Sequence, residues 1–153
     1  MFALFRKKAV NFFSEAEKEH IHTAIQQAER HTSGEVRVYI ESHCSYVDPI
    51  DRAAEIFYNL KMNATDLHNG VLVYVAMKDK QLAIFADEGI YKKAGDSFWT
   101  EEVKHMLTHF NKANYAAGIA TVVTEIGEVL HAHFPYDPHT DKNELPDEIV
   151  FGK

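Results

Sequence analysis

Hydrophobic positions along the chain switch period several times, and the switches outline the fold. Ser14-Glu15-Ala16-Glu17 has the form of a capping box, with a hydroxyl for an orphan amide and Glu17 able to reach back. Ile21, Ala24, Ile25 and Ala28 then share one face, so the spacing predicts a helix from about Ser14 to His31, stopped by Thr32-Ser33-Gly34. From Glu35 to Ser42 the pattern alternates: Val36, Val38 and Ile40 face one way and Arg37, Tyr39 and Glu41 the other. That predicts a strand with one face more buried than the other. Asp48-Pro49 supplies an N-cap followed by proline at the first helical position, and Ile50, Ala53, Ala54, Phe57 and Leu60 give the next helix its apolar side.

A loop over 61–68 leads into the most apolar stretch. Gly70 to Ala76 is apolar at almost every position, the pattern of a strand covered on both faces. Lys78-Asp79-Lys80 turns the chain into a second strand, Gln81 to Ala86, which stops at Asp87-Glu88-Gly89. Asp96-Ser97 can cap a helix with the stripe Trp99, Val103, Met106, Leu107 and Phe110. Another helix, Tyr115 to His133, carries Ile119, Val122, Val123, Ile126, Val129 and Leu130. From Pro135 onward the chain is acidic, proline-containing and aperiodic, which predicts an extended tail, docked or loose.

This order predicts one α/β domain: a three-layer αβα sandwich around a mixed, mostly parallel sheet with a central β-hairpin. It divides the chain into an extension over 1–13, a domain over 14–134 and a tail over 135–153. A helical crossover makes the strands at Glu35 and Gly70 parallel, and the hairpin makes the Gln81 strand antiparallel to both. The starts of the first two strands therefore meet the finish of the third. Glu35, Asp66, Asn69, Asp87, Glu88 and Asp96 are expected on that rim, with Thr65 beside them. Carboxylates and an amide oxygen are hard ligands of the kind Ca²⁺ and Mg²⁺ prefer, and a cation would relieve their mutual repulsion. The plainer explanation is that they are caps, turn formers and solvated charges, and an N-cap role suffices for Asp96.

Composition narrows the function classes. The 153 residues are 46% hydrophobic and 25% charged, ordinary values for one soluble domain. A formal charge of −7, without a Lys/Arg stripe, argues against nucleic acid as a partner. The single cysteine, Cys44, excludes an internal disulfide framework and a multi-cysteine zinc site. It follows the first strand beside His43, at the end of the sheet away from the rim, and an incidental thiol is the expected role. Arg6, Lys7 and Lys8 interrupt the apolar N-terminus, so it lacks the unbroken run of a secretory signal. No segment approaches the ~20 apolar residues of a membrane span. A cytoplasmic protein without direct membrane insertion is expected.

Other chemistry finds little support. Glu101, His105 and His109 share a helix face at i, i+4 and i+8, but HExxH is absent and a solvent-facing polar side is the simpler expectation. His20/His22 and His131/His133 are two residues apart and do not face each other on helices. GxSxG, GxGxxG and GxxxxGK[ST] are all missing.

The succession SGEVRVYIES, RAAEIFYNLKM, ATDLHNGVLVYVAMKDKQLAIFADEGI and GDSFW resembles the TPM domain, named for thylakoid-lumen, photosystem-associated and nematode receptor-associated proteins. The likeness runs from about Phe13 to Phe134, and NELPDEI is similar to a short soluble bacterial branch. The resemblance implies an αβα sandwich that binds divalent cations, Ca²⁺ especially, at an acidic site, and acid phosphatase activity as attributed to some plant members. Carried onto this chain, the matching positions are Glu35, Asn69, Asp87 and Asp96, with Thr65, Asp66 and Glu88 beside them. The chain departs from many members in lacking a signal peptide, an anchor and a glycine-rich tail, which sets lumenal or membrane-associated roles in doubt.

Two functions follow as expectations. One is a cation-dependent module, Ca²⁺ or Mg²⁺ stiffening the rim so that it docks a protein partner. The alternative is metal-dependent hydrolysis of phosphomonoesters, with Asp87 or Glu88 as nucleophile or general base and only Lys92 and Lys93 near enough to help hold a phosphate.

Overall fold

Ser14 begins the first helix as its sequence indicates. Its side chain accepts from the Glu17 amide and Glu17 answers at the Ser14 amide, closing both halves of the capping box. In the computed structural model, which describes residues 9–138 and 149–153, this helix, α1, runs Glu15–Arg30 and buries Ile21, Ala24, Ile25 and Ala28. It leads to strand β1, Glu35–Glu41, and then to helix α2, Pro49–Asn59, whose N-cap Asp48 accepts from the Ile50 amide. Strands β2, Gly70–Ala76, and β3, Gln81–Ala86, follow with the predicted boundaries. Helices α3, Glu88–Ala94, α4, Asp96–Asn111, and α5, Tyr115–His133, complete the bulk of the domain.

The sheet order is β3-β2-β1-β4, where β4 is the two-residue strand Val150–Phe151. β1 pairs in parallel with β2 and with β4, and β2 pairs antiparallel with β3. β2 is thus interior and buried throughout, while β3 forms one edge, so the hairpin is half central and half peripheral.

Strand alternation sorts the core into two layers. Val36, Val38, Ile40, Val71, Val73, Val75, Leu82 and Ile84 pack with residues of α1, α4 and α5 on one face. Leu72, Tyr74, Ala76 and Ala83 pack with Ala53, Ile56, Phe57 and Met62 on the other, which α2 covers. The result is the expected α/β sandwich.

Four local readings need correction. Arg37 and Glu41 were expected on the wetter face of β1, yet both are buried, because α2 lies over that face and Arg52 answers Glu41. The Arg52 Nε and Nη2 groups donate to the two Glu41 oxygens at 2.9 and 3.0 Å, and the Tyr74 hydroxyl donates to the same carboxylate. Asp96 is not the cap of α4: Gly95 holds that position with φ 88°, and Asp96 sits in the first turn, where its charge suits the helix dipole. Leu107 and Ile50 were placed on apolar stripes but are 41% and 37% exposed. Between the end of β3 and Asp96, where the sequence pattern marks only a strand stop, the chain forms a further helix, α3.

The tail is docked where it is described. Thr32 bridges to Pro135, the Tyr136 amide donates to the His31 carbonyl, and β4 adds to β1 opposite Tyr39 and Ile40. At the other end Ala9 and Phe13 are buried in the core. Residues 1–8 and 139–148, and with them most of NELPDEI, lie outside the described residues. Among the described residues no helix is long and apolar enough to cross a membrane.

Candidate functional site

The rim is built from backbone pairing. Glu35 is in register with Gly70, and the Asp87 amide donates to the Gly70 carbonyl at 2.9 Å, so Glu35, Gly70 and Asp87 form a row across three strands. By strand alternation all three belong to the face covered by α2. The middle position is tight: a Cβ at Gly70 would stand 3.0 Å from the Met62 carbonyl oxygen, which would have to give by a few tenths of an ångström, and in ordinary contact, 3.6 Å, with the Phe57 ring. Two carboxylate residues, 3% and 7% exposed, thus flank a position with no side chain.

Asn69 is tied to this row and to the loop before it. Its carbonyl accepts from the Glu35 amide at 3.3 Å, its amide donates to Thr65 Oγ1 at 3.3 Å, and its Nδ2 donates to Ser33 Oγ at 3.3 Å. The residue is 1% exposed, and its Oδ1 is buried with no hydrogen-bond partner. An orphaned amide oxygen of this kind costs about 1–3 kcal/mol. An amide oxygen of this kind is a hard ligand, of the type that donates to Ca²⁺ or Mg²⁺.

Asp87 has two local roles. It is the N-cap of α3, with Oδ1 accepting from the Glu88 amide at 2.8 Å, and its Oδ2 lies 3.2 Å from Nδ1 of His68. His68 has φ 51°, a left-handed conformation uncommon without glycine, which bends the loop so that the ring meets Asp87. Asp87, Glu88, His68, Tyr91 and Lys92 line an open cleft of about 440 Å³ whose apolar wall includes Tyr58 and Phe85.

Main-chain pairing and the Thr65–Asn69 bond therefore bring the backbones of Glu35, Thr65, Asn69 and Asp87 to one rim, with Glu88 adjoining in the cleft. Among the described residues no three of the rim's carboxylate and imidazole groups have ligand atoms within 4.8 Å of one another. Asp66 and Asp96 are less closely joined. Asp66 is exposed on its loop and does not line the cleft. Asp96 is engaged by the hydroxyl of Tyr91, a hydrogen bond that raises the phenol's pKa. Of the two lysines near the rim, Lys92 lines the cleft, whereas Lys93 Nζ sits 4.5 Å from the centre of the Phe134 ring. Sequence reasoning assigned no site role to His68 or Gly70. The contact of His68 with Asp87 depends on the left-handed backbone at His68, for which the HNG sequence before the strand is the one local signal.

At the far end of the sheet, His43 Nδ1 and the Cys44 amide both reach Asp79, at 2.9 and 2.7 Å, and hold its carboxyl below the usual range. The Cys44 thiol donates to the Tyr46 carbonyl at 3.6 Å. The polar face predicted for Glu101, His105 and His109 is not uniform either. Glu101 pairs with Lys104 at 3.3 Å, but His105 turns to α5, 3.3 Å from Glu125 Oε1.

A family model described as the TPM domain matches residues 7–129. The NMR structure of the BA42 protein from the psychrophilic bacterium Bizionia argentinensis is similar, with 38% identity, a TM-score of 0.84, and coverage of 92% of this chain and 96% of that one. Two more distant likenesses concern the fold alone. The N-terminal domain of a P. gingivalis protein is 18% identical with a TM-score of 0.66, covering 82% of each chain. The N-terminal domain of the cg2496 protein from Corynebacterium glutamicum is 14% identical with a TM-score of 0.62, covering 78% of this chain and 74% of that one. No curated protein matches the chain.

Proposed function

Because the chain belongs to the TPM domain family, we propose that it is a divalent-cation-binding module whose acidic rim, ordered by Ca²⁺ or Mg²⁺, docks a protein partner. The observation that carries this reading is the buried, partnerless Oδ1 of Asn69, a residue whose carbonyl pairs with the Glu35 amide at the end of the sheet where the buried acidic residues Glu35 and Asp87 lie. Asn69, Glu35 and Asp87 would hold the ion, with Thr65, Asp66, Glu88 and Asp96 on the surrounding loops and helix starts. The bound ion would neutralise the carboxylates and fix the loop over 65–69 against the start of α3. A stiffened loop loses less entropy when a partner binds, which is how a cation can gate docking without touching the partner.

The experiment is a Ca²⁺ titration followed by backbone amide shifts. Residues 34–35, 65–70 and 86–97 should move first, and Asp87→Asn should weaken the affinity. Shifts scattered elsewhere, or none, would remove the rim site.

A phosphomonoesterase is the second reading, favoured by one observation: the cleft sets Lys92 beside His68 and the two carboxylates. Lys92 would hold the phosphate, Asp87 would orient His68, and Glu88, exposed in the same cleft, would serve as base. A metal held at the rim would supply charge neutralisation and a more acidic water. The module is preferred because Asp87 is already engaged by the Glu88 amide and His68, and the cleft holds no activated nucleophile-base pair.

A further inference from the structure

Helix α4 carries Glu102 on the stripe that also buries Trp99, Met106 and Phe110. The residue is 3% exposed, and its Oε2 is buried without a hydrogen-bond partner. An ionised carboxylate in that setting is costly unless something positive reaches it. The groups that face it are His105 one turn along, Glu125 from α5 and, more remotely, Glu128. Burial first, and the Glu125 charge second, push the Glu102 carboxyl up to about 7, the response of two acceptors held together with too few donors.

The donor atoms are arranged for an ion. His105 Nδ1 lies 3.3 Å from Glu125 Oε1 and 3.8 Å from Glu102 Oε1, and one ligand atom from each of the three residues falls within 4.8 Å of the others. Ligands about 2.0–2.1 Å from a tetrahedral Zn²⁺ stand roughly 3.4 Å apart, so small side-chain adjustments suffice. Glu102 and His105 have the Glu-x-x-His spacing by which one helix presents two ligands inward, and Glu125 completes the set from the adjacent helix. Imidazole nitrogen with carboxylate oxygen suits a first-row transition ion rather than Ca²⁺ or Mg²⁺. His105 and Glu125, 46% and 32% exposed, leave an open side for water ligands and for entry.

We propose that Glu102, His105 and Glu125 form a binding site for a divalent transition ion of the zinc class in the groove between α4 and α5, separate from the acidic rim. A proton shared between Glu102 and Glu125 would relieve the same repulsion, and the test distinguishes the two.

Metal-stripped protein is titrated with Zn²⁺ at pH 7.5 in excess Ca²⁺, which occupies the hard-ligand rim, and followed by calorimetry and histidine ¹⁵N spectra. One Zn²⁺ should bind, shift the His105 ring resonances and raise Tm. His105→Ala, a half-exposed position tolerant of truncation, should weaken binding about a hundredfold or more, since even second-shell changes at metal sites cost 10–100-fold. Glu125→Gln should act in the same direction, and Asp87→Asn should leave Zn²⁺ binding intact. Mn²⁺ should broaden amides near 101–106 and 121–126. Equal Zn²⁺ affinity in wild type and His105→Ala, or shifts centred on His31 and His131, would overturn the site. So would an absence of Zn²⁺ binding in a protein that Glu102→Gln stabilises, the result expected of a shared proton alone.

Discussion

A Cβ placed on Gly89 would stand 2.3 Å from the carbonyl oxygen of Leu67 and 2.5 Å from that of His68. The first turn of α3 therefore rests against main chain of the loop that carries Asp66, His68 and Asn69. Backbone cannot swing aside as a side chain can, so Gly89→Ala has to separate helix and loop. We expect a loss of about 1–3 kcal/mol in urea unfolding, the usual range for overpacking. Ca²⁺ affinity should fall together with stability, because the loop moved is the one that holds the rim. Unchanged stability would mean that the loop is free to shift.

The buried Glu102 makes the metal-free protein pH-dependent in a definite direction. Its carboxyl binds a proton more tightly folded, near pH 7, than unfolded, near the ordinary 4.5. Between those values the native state holds more protons, so its stability contribution is complete below about pH 4.5 and is lost as pH rises through 7. At about 1.4 kcal/mol for each tenfold change in proton affinity, the loss is on the order of 3 kcal/mol. His105, Glu125 and Glu128 face the same carboxyl and share in this titration. Unfolding free energies in chelator from pH 5 to 8 should fall for wild type and stay flatter for Glu102→Gln. Parallel curves would contradict the assignment.

Arg52 and Glu41 provide a control at the opposite end of the sheet. Removing Arg52 leaves the Glu41 carboxylate buried with Tyr74 as its remaining donor among the contacts described above, and Arg52→Met should cost about 3 kcal/mol. Adding Glu41→Gln should recover part of that loss, because the uncompensated charge disappears. Neither change should alter Ca²⁺ affinity. Thermal and urea unfolding of the single and double variants measure the first effect and the amide titration the second.

If the rim serves docking rather than hydrolysis, wild type, Asp87→Asn and Lys92→Ala should turn over an aryl phosphate at the same background rate with Ca²⁺ or Mg²⁺ present. Activity that falls in both variants and follows the protein through purification would favour the phosphatase. The cation titration is read independently of this assay.

Legibility from sequence tracked the physical signal each element carries. β2 is an apolar run and β3 is apolar after Gln81, both between turn residues, so both ends of each were visible. α1 carries a capping box and a regular stripe. By contrast, α3 has seven residues and opens with Asp-Glu-Gly, which reads equally well as a turn. The two-residue β4 has too few positions to show a period. On the rim, pairing direction alone put the main chain of Glu35, Asn69 and Asp87 at one end of the sheet, since parallel and antiparallel neighbours determine which strand ends meet. The role of His68 depends on a left-handed loop residue, and the burial of Glu102 on how α5 crosses α4. Neither belongs to local periodicity. Even so, a glutamate three residues after Trp99 and four before Met106, within an apolar stripe, is a residue that pattern alone can question.

The order β3-β2-β1-β4 also constrains how the protein is made. α1 precedes β1, and β2, β3 and helices α2 to α5 follow it, whereas the strand that closes β1's other side comes after all of them. On a ribosome the domain can thus collapse around three strands while one flank of β1 is still waiting, and the last pairing must join residues as far apart in sequence as Tyr39 and Val150. That flank is where a nascent chain would meet a chaperone or a neighbouring copy of itself. In the finished protein the β4 amides should be the first of the sheet to exchange with solvent deuterium.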